Sequence, residues 1–187
     1  MPLRKLSGAE MQRLSPEDFH RAPKHPIYVM LQNIRSMWNV GSIFRTCDAA
    51  RIEQLIITGY TATPPRKEIE KTALGATETV KWTYFEHALD AVTWLKAQGV
   101  RVCALEITNS SRAYDAVRPE EFPLCLVVGN EVSGIDEEVL AACDFALEIP
   151  QYGTKHSLNV AVAVGIAVFE LVKISRQHAA ASQSDLR

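Results

Sequence analysis

Short strand-like segments alternate with longer helical ones along most of this chain. Runs of about five residues are too short for a helix and long enough for a buried strand. Such runs occupy 27–31, 53–58, 80–84, 100–106, 124–128 and 145–149. Helical patterns occupy 15–18, 68–74, 87–98, 135–142 and 157–176, and a further helix is expected to have Asn39 as its N-cap. Because parallel strands need a crossover connection, this alternation predicts an α/β fold with a mostly parallel sheet flanked by helices.

The chain has the size and composition of one domain. It has 187 residues, of which 47% are hydrophobic and 22% are charged, as in an ordinary domain with a full core. Residues 1–25 are polar, contain three prolines and predict a short N-terminal arm. We therefore expect the folded domain at 26–176 and a tail at 177–187 that frays.

The sequence lacks the features of membrane, secreted and metal-binding proteins. No apolar stretch approaches the roughly 20 residues of a membrane span, and Arg4, Lys5 and Glu10 stand where a signal peptide would be apolar. The four cysteines have no C-x-x-C spacing, and the five histidines are scattered. We expect a cytoplasmic protein with reduced core thiols, no metal site and no membrane partner.

Charge is distributed unevenly along the chain. The net charge of −2 does not indicate a nucleic-acid binder. Basic residues nevertheless crowd the first seventy positions, whereas acidic residues are denser in the second half. The basic half is therefore a candidate for contacts with phosphates.

A glycine-bounded segment, Gly129 to Gly134, follows the apolar run 124–128. In open α/β proteins, ligands bind beyond the carboxyl ends of the strands, where backbone N–H groups face a polar molecule. The segment has neither the Gly-Lys-Ser/Thr of a P-loop nor the G-x-G-x-x-G of dinucleotide folds. Turns between strands and helices also use glycine where nothing binds, so a ligand loop and a plain turn are both open at this point.

Three separated segments occur in a fixed order. They are Asn33-Ile34-Arg35 with Asn39-Val40-Gly41-Ser42-Ile43-Phe44-Arg45-Thr46, then Leu126 to Ile135, then Ile149 to Gly153 continuing through Ser157-Leu158-Asn159-Val160-Ala161. In these motifs the chain resembles the SpoU, or TrmH-like, branch of the SPOUT-class RNA methyltransferases. The resemblance covers residues 27–174.

The resemblance implies an activity, a fold and two partners. The activity is methyl transfer from S-adenosylmethionine to a ribose 2′-hydroxyl of tRNA or rRNA. The fold adds a C-terminal trefoil knot that holds the cofactor, a feature that periodicity cannot predict. The partners are RNA and a second copy of the chain, as a homodimer.

The resemblance also implies which residues bind the cofactor. Gly129, Ile149 and Leu158 match the main contacts of the family, and aliphatic side chains can clamp a flat adenine. The full predicted cofactor set is Leu105, Gly129, Asn130, Gly134, Ile149, Ser157 and Leu158. Ser157 is in addition a candidate cap for the last helix.

Four polar residues of the motifs are the predicted catalytic set: Asn33, Arg45, Glu131 and Asn159, of which Arg45 and Asn33 match the catalytic positions that the resemblance implies. A guanidinium is always protonated, so Arg45 is a poor base. We expect Arg45 to grip the phosphate beside the target ribose and to stabilise the alkoxide, with Asn33 holding Arg45 or the ribose. Glu131 is expected to order its own loop or an arginine of the partner.

Two alternatives stay open. One is a catalytically inactive RNA-binding or assembly factor with the same knotted fold. The other is methylation of a base or of a protein. With only about 25 residues before the first strand, substrate capture would rest on the arm, on the 59–71 region and on the second subunit.

Overall fold

A computed structural model describes the backbone of residues 3–8 and 10–184, and the side chains of the last helix as far as Gln177. Seven strands form one sheet in the order β3-β2-β1-β6-β4-β7-β5, and every neighbouring pair is parallel. The strands are β1 His25–Gln32, β2 Ile52–Thr58, β3 Trp82–Phe85, β4 Arg101–Leu105, β5 Arg112–Ala113, β6 Leu124–Val128 and β7 Phe145–Glu148. The predicted parallel α/β fold is confirmed, and the knot stays a prediction.

The helices connect these strands. They are α1 Pro16–Arg21, α2 Met37–Ala49, α3 Lys67–Ala73, α4 Ala76–Thr79, α5 Ala88–Ala97, α6 Glu137–Ala142 and α7 Val160–Ser184, with one 3-10 turn at Pro119–Glu121. The short helix predicted in the arm is present, because Ser15 accepts a hydrogen bond from Asp18 N and Pro16 occupies the first turn. No helix in the described part of the chain is long and apolar enough to cross a membrane.

The N-caps of two helices differ from prediction. The N-cap of α2 is Ser36, whose side chain accepts from Asn39 N, so the assignment of Asn39 as the cap is wrong. The last helix begins at Val160 and not at Ser157, because the Asn159 side chain accepts from Ala161 N and Val162 N. Both errors arise because several residues with good capping side chains lie within three positions of each other.

The last helix also runs beyond its predicted end at position 176 and continues to Ser184. The sequence 179–181 is a run of alanines, the residue with the highest helix propensity, which favours this extension. Of the predicted frayed tail, residues 185–187 lie outside the described residues.

The core lies on both faces of the sheet. On one face, Val29 and Leu31 of β1 pack in a cluster with Phe44 of α2 and Val168 of α7. On the other face, Met30 packs in a second cluster that includes residues of α5 and α6. Alternate residues of β1 therefore enter opposite layers, which is why its sequence is a continuous apolar run.

The four cysteines are free thiols, as the sequence predicted. Cys47, Cys103 and Cys125 are buried, and burial raises the pKa of each thiol. They act as small apolar core residues.

The position of the ligand crevice follows from the topology. Strands β1 and β6 are neighbours in the sheet, but α2 follows β1 on one face and α6 follows β6 on the other. In open α/β sheets such a switch point opens a crevice at the carboxyl ends of the strands. The segment Gly129 to Gly134 begins there, directly after β6.

Candidate active site

A cavity of about 440 Å³ lies beyond the carboxyl ends of β4, β6 and β7. Its walls come from the loops that follow these strands and from the start of α7. Every predicted cofactor residue lines it: Leu105, Gly129, Asn130, Gly134, Ile149, Ser157 and Leu158. Glu131 and Asn159 of the predicted catalytic set also line it, whereas Asn33 and Arg45 do not.

The loop after β6 requires glycine at both ends. A Cβ atom on Gly129 would lie 2.2 Å from the carbonyl carbon of Gly134. Gly134 has a φ of 73°, and a Cβ there would lie 2.5 Å from Oε2 of Glu106. Two backbone hydrogen bonds between Asn130 and Gly134, of 2.9 and 3.0 Å, close the loop between them.

The Asn130 side chain organises this loop from within. It is 8% exposed. Its Oδ1 accepts from Val132 N at 2.8 Å and from Ser133 N at 3.0 Å. Its Nδ2 donates to the backbone oxygen of Asn33 at 3.0 Å and to the Tyr60 hydroxyl at 2.8 Å. The amide is therefore fully engaged within the protein, and Asn130 contributes a wall to the cavity rather than a free amide group.

The Glu131 carboxylate fastens this loop to the start of α2. It accepts from Arg35 N at 2.9 Å, from Ser36 N at 3.0 Å and from Asn39 Nδ2 at 2.8 Å. Burial acts to raise the pKa of Glu131, but these hydrogen bonds outweigh it, and the pKa lies below its ordinary value. A carboxylate at a helix N-terminus is further favoured by the helix dipole.

Asn39 joins the first and third sequence motifs. Its Oδ1 accepts from Asn159 Nδ2 at 3.1 Å while its Nδ2 donates to Glu131. Asn159 in turn holds the first turn of α7. Sequence reasoning missed this role of Asn39. The available signal was that an amide within the first motif can donate and accept at the same time.

The structure does not bring Asn33 to the cavity. Asn33 has a φ of 56°, and its Oδ1 accepts from Tyr60 N at 3.2 Å while its Nδ2 lies 3.3 Å from Asp136 Oδ2. The left-handed conformation, which asparagine tolerates, turns the chain sharply after β1. Asn33 thus connects the loops after three strands, and its amide does not hold Arg45.

Arg45 lies in a second cavity of about 390 Å³. Its neighbours there include Ser42, Lys71, Thr72 and Phe169. Phe169 follows Ala163, the last residue of α7 that lines the first cavity, by six residues, which at 1.5 Å per residue is about 9 Å along the helix. Within the described residues, neither Arg45 nor Lys71 forms an ion pair. Within one chain, Arg45 therefore lies apart from the first cavity, which the second and third motifs line.

Four residues of the segment 150–158 line the cavity: Gln151, His156, Ser157 and Leu158. Among the described residues their backbone N–H groups have no protein acceptor, and the Gln151 side chain donates from Nε2 to the oxygen of Ile149 at 2.8 Å. Two carboxylates that sequence reasoning missed, Glu106 and Glu148, also line the cavity. Glu106 accepts from Ile107 N at 3.1 Å and from Ile135 N at 3.3 Å.

Comparison with known proteins agrees with this geometry. The SpoU rRNA Methylase family model matches residues 26–169. The tRNA (guanosine(18)-2′-O)-methyltransferase of Thermus thermophilus is 31% identical over 164 residues, which cover 86% of this chain and 81% of that protein. The 23S rRNA (guanosine(2553)-2′-O)-methyltransferase RlmP of Bacillus subtilis is 31% identical over 143 residues, covering 76% of this chain and 56% of that protein.

A solved structure shares both fold and sequence with this chain. The AdoMet-bound rRNA methyltransferase from Sinorhizobium meliloti superimposes with a TM-score of 0.75 at 31% identity, covering 87% of this chain and 61% of that one. The matched family segment contains all three motifs, of which the second and third line the cavity. The chain belongs to the SpoU rRNA methylase family, as its three sequence motifs predicted.

Proposed function

We propose that this protein transfers a methyl group from S-adenosylmethionine to the 2′-hydroxyl of a ribose in tRNA or rRNA. The observation that carries the proposal is the cavity at the carboxyl edge of the sheet, where the second and third motifs meet. Its volume of about 440 Å³ lies in the range of small-molecule and cofactor sites. The names of the relatives, which act on tRNA in one case and rRNA in the other, support the substrate class. With these substrates, we place the reaction in the cytoplasm.

The residues in the cavity fit S-adenosylmethionine. Leu105, Ile149 and Leu158 give apolar walls that suit an adenine ring. Backbone N–H groups of Gln151, Ser157 and Leu158, which have no acceptor within the described residues, are donors for the polar edge of that ring. Glu106 and Glu148 are acceptors for ribose hydroxyls or an ammonium group. The chemistry supplied by the bound cofactor is an electrophilic methyl group.

We further infer that the active form is a homodimer. Val162, Ile166 and Phe169 lie on one side of α7, at i, i+4 and i+7, and remain 51%, 37% and 50% exposed. A contiguous exposed apolar stripe indicates an interaction surface, and a second copy is the partner that would cover it. Phe169 also lines the cavity that contains Arg45, whereas Val162 precedes Ala163, which lines the cofactor cavity. In a two-fold contact with the stripes antiparallel, Phe169 of one copy meets Val162 of the other, and we infer that Arg45 of one copy approaches the cofactor cavity of the other.

Arg45 is the proposed grip on the RNA. With Lys71, Ser42, Thr46 and Thr72 it lines a cavity that supplies two cations and three hydroxyl groups and has no carboxylate among its described lining residues. Such a set favours a phosphate next to the target ribose. Fixing that phosphate aligns the 2′-hydroxyl with the methyl group, and the guanidinium stabilises the alkoxide as the proton leaves. Asn39 and Asn159, whose amides are hydrogen-bonded to each other, connect the first motif to the third.

The test is methyl transfer from labelled S-adenosylmethionine to total tRNA and, in parallel, to total rRNA, followed by nuclease digestion and nucleoside analysis. We expect label in a 2′-O-methylated nucleoside from one of the two fractions. Label on a base or on protein would contradict the proposed acceptor. Binding of the cofactor without labelling of any RNA would favour the inactive assembly factor, which the names of the relatives do not support.

A further inference from the structure

Tyr60 is a large aromatic residue that the fold holds at the surface. It follows β2 and is 62% exposed. The preceding Gly59 has a φ of 63°, so the chain turns sharply at the end of the strand and directs this residue out of the core. An exposed tyrosine alone requires no explanation, but this one is restrained in two places.

Both restraints on Tyr60 come from the loops beside the proposed active site. Its backbone N donates to Asn33 Oδ1 at 3.2 Å, and its hydroxyl accepts from Asn130 Nδ2 at 2.8 Å. An exposed side chain normally samples several rotamers, and these contacts remove that freedom before any ligand arrives. A ring that is already fixed loses little conformational entropy when another molecule stacks on it.

The ring is also tied to the cofactor cavity. Asn130 lines that cavity, and the same amide group that bonds the Tyr60 hydroxyl belongs to the loop closed by Gly129 and Gly134. The restrained ring therefore lies one side chain away from the cavity wall. Tyr60 itself does not line the cavity, so its exposed surface is available to a different molecule from the cofactor.

Cations occur in the same loops. Arg35 follows the turn at Asn33, and Arg66 and Lys67 end the loop that Tyr60 begins. All three are exposed, and none forms an ion pair within the residues that the structure describes. A fixed aromatic face with unpaired cations on the adjoining loops matches a nucleotide, because the base can stack on the ring while the phosphates meet the cations.

We propose that Tyr60 is a positioning residue whose ring stacks on a base of the RNA substrate, at or beside the nucleotide that is methylated. The inference rests on the proposed function and extends it to the recognition of the substrate. A nucleotide that enters an enzyme cavity loses stacking with its neighbours, and an aromatic face replaces part of that stacking. The stacking is independent of base identity, so Tyr60 contributes affinity and orientation rather than sequence choice.

The test compares Tyr60→Phe, which keeps the ring and removes the hydroxyl, with Tyr60→Leu, which keeps apolar bulk and removes the aromatic face. Three quantities are measured: the Kd for fluorescently labelled total tRNA and rRNA by anisotropy, the Kd for S-adenosylmethionine by calorimetry, and the KM and kcat of methyl transfer. We expect Tyr60→Leu to raise the RNA Kd and KM about tenfold. Tyr60→Phe keeps the aromatic face but loses the restraint by Asn130, so its RNA Kd should rise by about threefold, clearly less than in Tyr60→Leu, and both variants should keep the cofactor Kd within about threefold.

Other outcomes overturn the proposal. An unchanged RNA Kd in Tyr60→Leu would show that the ring carries no stacking. An equal rise of the RNA Kd in Tyr60→Phe would assign the effect to the hydroxyl contact with Asn130. Failure of the wild type to bind either RNA would contradict a base-stacking role for Tyr60. Because the anisotropy measurement needs no turnover, an RNA that binds through Tyr60 but is never methylated would contradict the proposed function alone.

Discussion

Asn39 Nδ2 on α2 donates a hydrogen bond of 2.8 Å to the Glu131 carboxylate in the loop after β6, so two motifs separated by 92 residues meet in one contact. The same asparagine accepts a bond of 3.1 Å from Asn159, 120 residues further along the chain than Asn39. These two contacts link all three sequence motifs through single side chains. The amide of Asn39 thus sets the relative positions of the cofactor loop and the start of α7.

Replacing Asn39 with alanine should disrupt this arrangement. The variant leaves a charged acceptor and an amide donor without their partner, and hydrogen bonds to charged groups contribute about 1.5–3 kcal/mol. We expect a higher Kd for S-adenosylmethionine and at least a tenfold lower kcat/KM for methyl transfer. Calorimetry and the methyl-transfer assay measure these effects. Gln98→Ala, which removes an exposed amide at the end of α5, is the matched control and should behave as wild type.

The sequence predicted some of these features well and others poorly. The strand at Leu124–Val128 was predicted with its observed bounds, because a buried parallel strand is a continuous apolar run. The sequence pattern alone could not show which of Asn33 and Asn39 links the three motifs. Both asparagines lie in the first motif, and only the folded chain shows that one crosses between loops while the other bonds to Glu131 and Asn159. Long-range partners of this kind leave no periodic signal in the sequence.

The separation of Arg45 from the cofactor cavity was equally invisible in the sequence. Motif order places Arg45 and Gly129 in one site, but α2 and α7 carry Arg45 and Phe169 away from the end of the sheet where the cavity opens. Local propensity determines that these helices form, and tertiary packing determines what each residue faces. The seven residues predicted for the cofactor do lie together, because they come from strand ends, from the loop after β6 and from the segment before α7, on one edge of the sheet.

Gly129→Ala should create a steric overlap between the two ends of the cofactor loop and distort it. The added Cβ would lie 2.2 Å from the carbonyl carbon of Gly134, and backbone atoms cannot move aside as a flexible side chain can. We expect the Kd for S-adenosylmethionine to rise at least tenfold and the melting temperature to fall by a few degrees. Gly8→Ala is the control, because a Cβ at Gly8 meets nothing within 4 Å. Normal cofactor binding by Gly129→Ala would show that the loop tolerates the extra atom.

Glu131 should make stability depend on pH in the acid range. Its folded pKa lies below the ordinary value, so the ionised form is favoured by folding. The stabilisation is complete above the unfolded pKa, near 4.3 for glutamate, and is lost as the pH falls through the lower, folded pKa. We expect the melting temperature of the wild type to fall more steeply below about pH 4.5 than that of Glu131→Gln. The difference between the two curves isolates Glu131 from the other carboxylates, and parallel curves would contradict the assignment.

Arg45→Ala should separate RNA methylation from cofactor binding. Arg45 lines the second cavity and not the first, so the Kd for S-adenosylmethionine should remain unchanged. Loss of phosphate alignment and alkoxide stabilisation should lower kcat/KM for RNA about a hundredfold. Lys81→Ala, which removes an exposed cation before β3, is the control for a general loss of positive charge. Full methyl transfer by Arg45→Ala would remove this residue from the mechanism.

A mixture of two impaired variants, assayed at an S-adenosylmethionine concentration too low to fill the Gly129→Ala cavity, tests whether each site contains parts of both copies. Arg45→Ala leaves the cofactor cavity intact, and Gly129→Ala leaves Arg45 intact. In a heterodimer, the unmodified cofactor cavity of the Arg45→Ala copy faces the unmodified Arg45 of the Gly129→Ala copy. One of the two sites is therefore complete. Random exchange makes half of the dimers heterodimers, and we expect recovery of about a quarter of wild-type activity after the variants are mixed and allowed to exchange. Light scattering at micromolar concentration must first show a dimer. If Arg45 instead serves the cavity of its own chain, no dimer in the mixture has a complete site, and activity stays at the level of the separate variants.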